Sequence, residues 1–438
     1  VGSREPPELT RKKEKEQNSP PNPERHVVEL SARNTDLSTL AQLLQSQHAR
    51  KLDVVVPATK LIAEGGLIRL DDVELTADGV TPYGSFRPTD TAVGHLAEKL
   101  GIDLRYLRKC HATRPDLFDA NVNGWLHGQR SETLTDNGLH HAVIHPADTR
   151  SFLFRAFRTD EGGIMRGLLS DKYAIIDNLD VLLAVLDGVQ EAGVEIAIDG
   201  CDLSEQRMHV RIAVPEVQVM APVLFENYRS PFGQGRDVRV GNGGGWDIDS
   251  ARRAAAREGR AYAPGQEPIV FGGFVIDNSE LGGGAFGLTP RGIAKICRNG
   301  LELPLDAAKT VHLGSRLEEG VVAWSPETRD RQLALIKSKT VDTVKTFVSA
   351  EFWQAKVNEL EAKAGKPVED PQKTITAVGK ALRYTETQTD AILRHFVLGG
   401  QLTSGGIFNA ITSVAQTIED PDVAADMESS AVKALDLA

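Results

Sequence analysis

Ser151-Phe152-Leu153-Phe154-Arg155-Ala156-Phe157 and Ile164-Met165-Arg166-Gly167-Leu168-Leu169 flank the tetrapeptide Asp160-Glu161-Gly162-Gly163. Two apolar runs rich in aromatic and branched side chains, separated by acidic and glycine turn residues, predict a β-hairpin. The period then changes. Leu179, Leu182, Leu183, Leu186 and Val189 recur at helical spacing, with Asn178 placed to cap the helix and Gly193 placed to stop it. Val194–Ile198 and Met208–Val214 predict a second hairpin. Strand, strand, helix, strand, strand is the order of an antiparallel sheet with helices on one face, not of a doubly wound parallel sheet. The class is therefore α+β.

On the N-terminal side, Leu52-Asp53-Val54-Val55-Val56 predicts a strand. Thr89 or Asp90 caps a helix carrying Val93, Leu96, Ala97 and Leu100, and Gly101 supplies a left-handed stop. A second helix carries Leu104, Leu107 and Cys110, and a third follows Pro115. On the C-terminal side, residues 268–277 have strand character, Thr289-Pro290 opens a helix closing at Asn299-Gly300, and nearly everything beyond Pro326 has helical periodicity. Residues 1–25 hold five prolines and almost no apolar side chains, the composition of a disordered tail. The expected organisation is this tail, a mostly helical region over 26–150, an α+β core over 151–325, and a helical region over 326–438. The core contains a Gly/Arg-rich insertion at 229–266, so a central antiparallel sheet is flanked by two helical regions.

Among the 438 residues, 41% are hydrophobic and 25% charged, which excludes wholesale disorder. A net charge of -11 excludes a uniformly basic surface, while leaving room for a local basic groove. Cys110, Cys201 and Cys297 form no paired spacing, which excludes a disulfide framework or zinc knuckle and suits a reducing compartment. No apolar run reaches membrane-spanning length and the N-terminus has no signal-peptide core. A cytoplasmic location without a membrane partner is expected.

No motif dictates a cofactor. Gly282-Gly283-Gly284-Ala285-Phe286-Gly287 has the glycine spacing of a dinucleotide fingerprint, but the helix after it starts too late, and a glycine-rich hairpin turn accounts for it better. His140, His141 and His145 are close in sequence but have neighbouring Pro146 and no partnering cysteine, so a surface loop is expected rather than a metal site. His95 to Lys109 has the small-residue, glycine-turn and apolar spacing of a helix-turn-helix, whose second helix would offer Arg105, Tyr106, Arg108 and Lys109 to a DNA groove. An ordinary helical hairpin with a solvated basic face has the same pattern. The insertion adds Arg252, Arg253, Arg257 and Arg260 on a short alanine-rich helix.

Met165 to Tyr173 with Ile176-Asp177-Asn178, Ile276 to Gly282, Cys297-Arg298-Asn299-Gly300, His312-Leu313-Gly314 and Phe408 to Thr412 occur in the order seen in the domain-of-unknown-function family 932, which the chain resembles over about residues 85–430. The resemblance implies a setting in phages, plasmids and prophages, and through that setting an association with DNA metabolism. Three expectations follow. One is a DNA-binding accessory protein, with Arg166, Tyr173, Arg291 and Arg298 lining a sheet groove for single strands, or Arg105, Arg108 and Lys109 meeting a duplex. Another is an enzyme on a small or nucleotide-like substrate, with Asp171, Glu280 and His312 as acid/base groups. The last is an assembly protein, self-associating or docking a partner through its C-terminal helices.

Overall fold

The computed structural model describes residues 28–71, 84–135, 138–159, 162–232, 268–294, 300–302, 308–310, 320–321 and 326–438. The first part of the chain contributes β1 (Ala32–Thr35), α1 (Leu37–Arg50), β2 (Lys51–Pro57), β3 (Leu61–Glu64), β4 (Leu67–Leu70) and β5 (Ser85–Pro88). Helices α2 (Asp90–Leu100), α3 (Leu104–Thr113) and α4 (Pro115–His127) lead into the hairpin of β6 (Gln129–Thr135) and β7 (Gly138–His145). Next come β8 (Ser151–Thr159), β9 (Gly162–Ser170), α5 (Asn178–Ala192), β10 (Ala197–Leu203), β11 (Met208–Met220), β12 (Ile269–Asn278) and β13 (Phe286–Ala294). Short strands β14 (Gly300–Glu302), β15 (Ala308–Thr310) and β16 (Gly320–Val321) precede helices α6 (Pro326–Phe347), α7 (Ala350–Ala364), α8 (Pro371–Leu382), α9 (Glu386–Gly399), α10 (Ser404–Ala415) and α11 (Pro421–Ser430).

The α+β class holds, and its strands form two large sheets. One sheet has the order β1-β10-β11-β12-β13-β14, with β15 also paired to β13, and every pair in it is antiparallel. The other has the order β16-β2-β8-β9-β5-β4-β3 and is antiparallel except for β5 against β9. Strand β2 pairs along its whole length with β8, so residues on both sides of position 150 belong to one sheet. Two cores follow from this. Helices α1, α5, α6, α7 and α10 cover the first sheet through residues such as Leu40, Val185, Val344, Trp353 and Phe408. Helices α2 to α4 cover the second through Val93, Leu96, Leu107 and Phe118. Among the described residues, no helix is long and apolar enough to cross a membrane.

Local signals held where no distant segment competed. Thr89 caps α2 by accepting from the Ala92 N–H, and Gly101 and Gly193 end their helices in the left-handed conformation. Three expectations need correction. Thr289-Pro290 starts no helix there; both residues lie inside β13, Thr289 opposite Val275 and Pro290 opposite Phe274, because pairing with β12 overrides a helix-start signal. His140, His141 and His145 lie on β7 rather than in a loop, since pairing with β6 satisfies the backbone. Asn178 is the first residue of α5 and not its cap; Asp177 holds the cap position, but its carboxylate is drawn to Lys51 and Arg155.

Burial on both faces of β8 puts Arg155 at 0% exposure, where a charge must be paired. Its Nε and Nη2 reach Asp53 at 2.8 and 3.1 Å, Nη2 also reaches Asp177 at 2.8 Å, and Nη1 donates to the Glu280 carbonyl at 2.7 Å. One side chain thus ties β8 to β2, to the start of α5 and to the β12–β13 turn of the other sheet. Replacing Arg155 with Met leaves the two buried carboxylates with Lys51 as their one remaining cation, and we expect a loss of about 3–5 kcal/mol in denaturant unfolding. A loss under about 1 kcal/mol would show that the guanidinium does not join the sheets.

Candidate functional site

The junction of the two sheets gathers several of the residues singled out by sequence. Arg166 on β9 is 6% exposed; its Nη2 donates to Glu280 Oε2 at 2.6 Å, and its guanidinium carbon lies 4.1 Å from the Phe157 ring centroid. The other Glu280 oxygen accepts the Asn178 N–H at 2.6 Å, doing for α5 what its own cap residue does not. Tyr173 donates its hydroxyl to the Ser279 carbonyl at 2.9 Å and accepts the Gly282 N–H at 3.2 Å. Burial pushes its phenol up to about 12, so it stays neutral. Asp171 lies beyond the end of β9, half-buried, and accepts a long hydrogen bond from Ser170. Glycines 282 to 284 form the turn between antiparallel β12 and β13, with Ser279 Oγ accepting the Leu281 and Gly283 N–H groups. That is a hairpin turn, and no helix N-terminus follows it to cradle a pyrophosphate.

Arg291 lies on β13. It is 3% exposed and pairs with Asp199 at 3.0 Å and Glu428 at 2.8 Å, which anchors α11 to the sheet. Nearby, His209 bridges Asp277 at 2.5 Å and Asp422 at 3.2 Å, a second tie to α11. Arg298 and His312 lie outside the described residues, as do residues 1–25, most of the 229–266 insertion with its four helix arginines, and the side chains of His140 and His141.

The third set stands apart. On α3, Leu107 and Cys110 are buried, while Arg105, Tyr106, Arg108 and Lys109 face solvent. Asp103 caps this helix by accepting the Tyr106 N–H. Arg108 reaches Asp90 at 2.6 Å, and the Tyr106 hydroxyl accepts from Asn121 of α4 at 3.2 Å. Arg105 and Lys109 pair with no carboxylate among the described residues. Helix α2, by contrast, buries Thr91, Ala92, Val93, Leu96, Ala97 and Leu100, so it holds α3 against the sheet while α3 presents its outer face.

Sequence reasoning passed over Arg155, Lys51 and Asp53 at the junction, and Arg33, Asp199, Asp202 and Arg211 on the other sheet. A signal existed for the first group: Arg155 and Asp53 are each the lone charge inside an apolar run, and they face each other across β8 and β2. No family model, curated protein or solved structure matches the chain.

Titration of the buried groups sets a pH dependence. Burial opposes the charged form of His209, but hydrogen bonds to Asp277 and Asp422 outweigh it and raise its pKa from 6.5 to about 10. Burial, reinforced by the charges of Glu428 and Asp277, raises Glu302 from 4.5 to about 8. In both cases the folded chain binds more protons than the unfolded chain, so stability falls as pH rises, from about 4.5 to 8 for Glu302 and from about 6.5 to 10 for His209. On the acid side, burial disfavours the Asp177 carboxylate but Lys51 and Arg155 more than compensate and hold its pKa below the usual range; that stabilisation is lost as pH falls. A Tm maximum at about pH 5–6 with a decline toward pH 10 is expected, and His209→Gln should flatten the alkaline decline. A profile flat from neutrality to pH 10, in the native chain, would contradict these assignments.

Proposed function

We propose that this chain binds duplex DNA through the α2–α3 helical hairpin, as a DNA-binding accessory protein of the kind its resemblance to the domain-of-unknown-function family 932 implies. The supporting observation is a contrast in exposure. Arg166 and Arg291 are buried, whereas Arg105, Arg108 and Lys109 lie on the solvent face of one helix beside Tyr106, Arg108 in an exposed pair with Asp90. Phosphate contacts need cations that water and a polyanion can reach, and helix-turn-helix proteins present them on the second helix of the pair. The overall charge of -11 fits a protein that confines its DNA contacts to one face.

Fluorescence anisotropy of labelled duplex and single-stranded DNA at two salt concentrations tests this reading. The duplex should bind more tightly and lose affinity as salt rises. Replacing Arg105, Arg108 and Lys109 with Ala should lower the slope of log affinity against log salt by about two to three, roughly one per phosphate contact removed. Failure to bind at low salt, or a preference for single strands that survives the triple substitution, would overturn it.

A further inference from the structure

Among the described residues, the outermost strands of the two large sheets are short: four residues in β1 and β3, three in β14 and two in β16. Strand β1 is further broken by an irregularity in its register. Short or irregular edges resist pairing with another chain. The β6–β7 hairpin is built differently. Its strands run to seven and eight residues, and among the described residues neither pairs with any strand but the other. The Trp125 ring of α4 packs edge-on against His145 of β7, 4.6 Å between centroids, which fixes the base of the ribbon. A two-stranded ribbon is marginal in water by itself, and further strands are what stabilise it.

The register tells which backbone groups of the ribbon are open. Thr135 pairs with Gly138 across a two-residue connection, so this closing pair exchanges both hydrogen bonds, and bonded and non-bonded pairs alternate from there. Ser131 and Thr133 are thereby bonded to β7, while the N–H and C=O groups of Arg130, Glu132 and Leu134 point to the outer edge of β6. A second copy of β6 matches that edge in an antiparallel pair about a two-fold axis at Ser131. Arg130 of each copy then falls opposite Glu132 of the other, and both positions carry open backbone groups. Arg130-Ser131-Glu132 is thus complementary to itself in charge and in hydrogen bonding. Registers centred on Arg130 or on Glu132 oppose like charges. The outer positions of β7, which are Leu139, His141 and Val143, offer no such complement.

We propose that the chain self-associates through β6, two copies forming a four-stranded antiparallel sheet in the order β7-β6-β6-β7. The contact is isologous, as a two-fold pair requires, and its small extent makes the dimer weak and concentration-dependent. This pairing requires nothing of α3 and stands whatever the DNA measurements give.

Sedimentation velocity of the full chain, from low micromolar to several hundred micromolar, tests the pairing. The sedimentation coefficient should rise with concentration toward that of a dimer. Arg130→Glu and Glu132→Arg each set like charges opposite one another twice, and each should raise the dissociation constant by about tenfold or more. The double exchange, Arg130→Glu with Glu132→Arg, rebuilds the complement and should bring the constant back to within about threefold of the native value. Thermal unfolding at low concentration shows that each variant is folded. A chain that stays monomeric throughout, a dimer indifferent to either single reversal, or a folded double exchange that does not recover self-association would overturn the proposal.

Discussion

A guanidinium group enclosed on all sides by protein is the constraint on which this architecture rests. Arg155 cannot shed its charge, so the chain must bring acceptors to it, and those acceptors come from three separate places. Asp53 comes from the facing strand, Asp177 from the start of α5 and the Glu280 carbonyl from the turn of the other sheet. Lys51 completes the cluster by contacting both carboxylates. Ion pairs of this kind add little net stability compared with an apolar core, because desolvation offsets their attraction. Their effect is on specificity, since only one relative placement of the two sheets satisfies every partner. Arg166, Glu280 and Asn178 repeat the logic one step along, so the turn of one sheet caps the helix that covers it.

A second set of buried charges performs the same task for the C-terminal helices. His209 and Arg291 fasten α11 to the sheet through Asp422 and Glu428, and α10 beneath it is buried throughout. The C-terminal helices are therefore part of the first core and not an appended arm. Val397, Leu398 and Leu402, at the end of α9 and just beyond it, are exposed apolar side chains, as are Val423 on α11 and Leu437.

Much of the fold was legible because its signals are local. The β8–β9 hairpin declares itself through Gly162-Gly163 between apolar runs, and the outer face of α3 through the spacing of Leu107 and Cys110. Long-range pairing was not legible. Asp53 precedes Arg155 by 102 residues, and Glu280 follows Arg166 by 114, with no local pattern to link either pair. Thr289-Pro290 misled because a proline that suits a helix start also fits a strand position with no ladder hydrogen bond to donate. Arg166 and Arg291 suggested phosphate contacts as sequence, but burial makes them struts.

We propose a division of labour between the buried arginines, which hold the sheets, and the exposed cations on α3, which would meet DNA. It is tested most directly by measuring Tm and duplex affinity side by side for Arg166→Met and for the pair Arg105→Ala with Lys109→Ala. The first should lower Tm and leave the affinity of the folded protein intact, while the second should leave Tm and lose affinity. The reverse pattern, with binding lost at Arg166 and retained on α3, would contradict it.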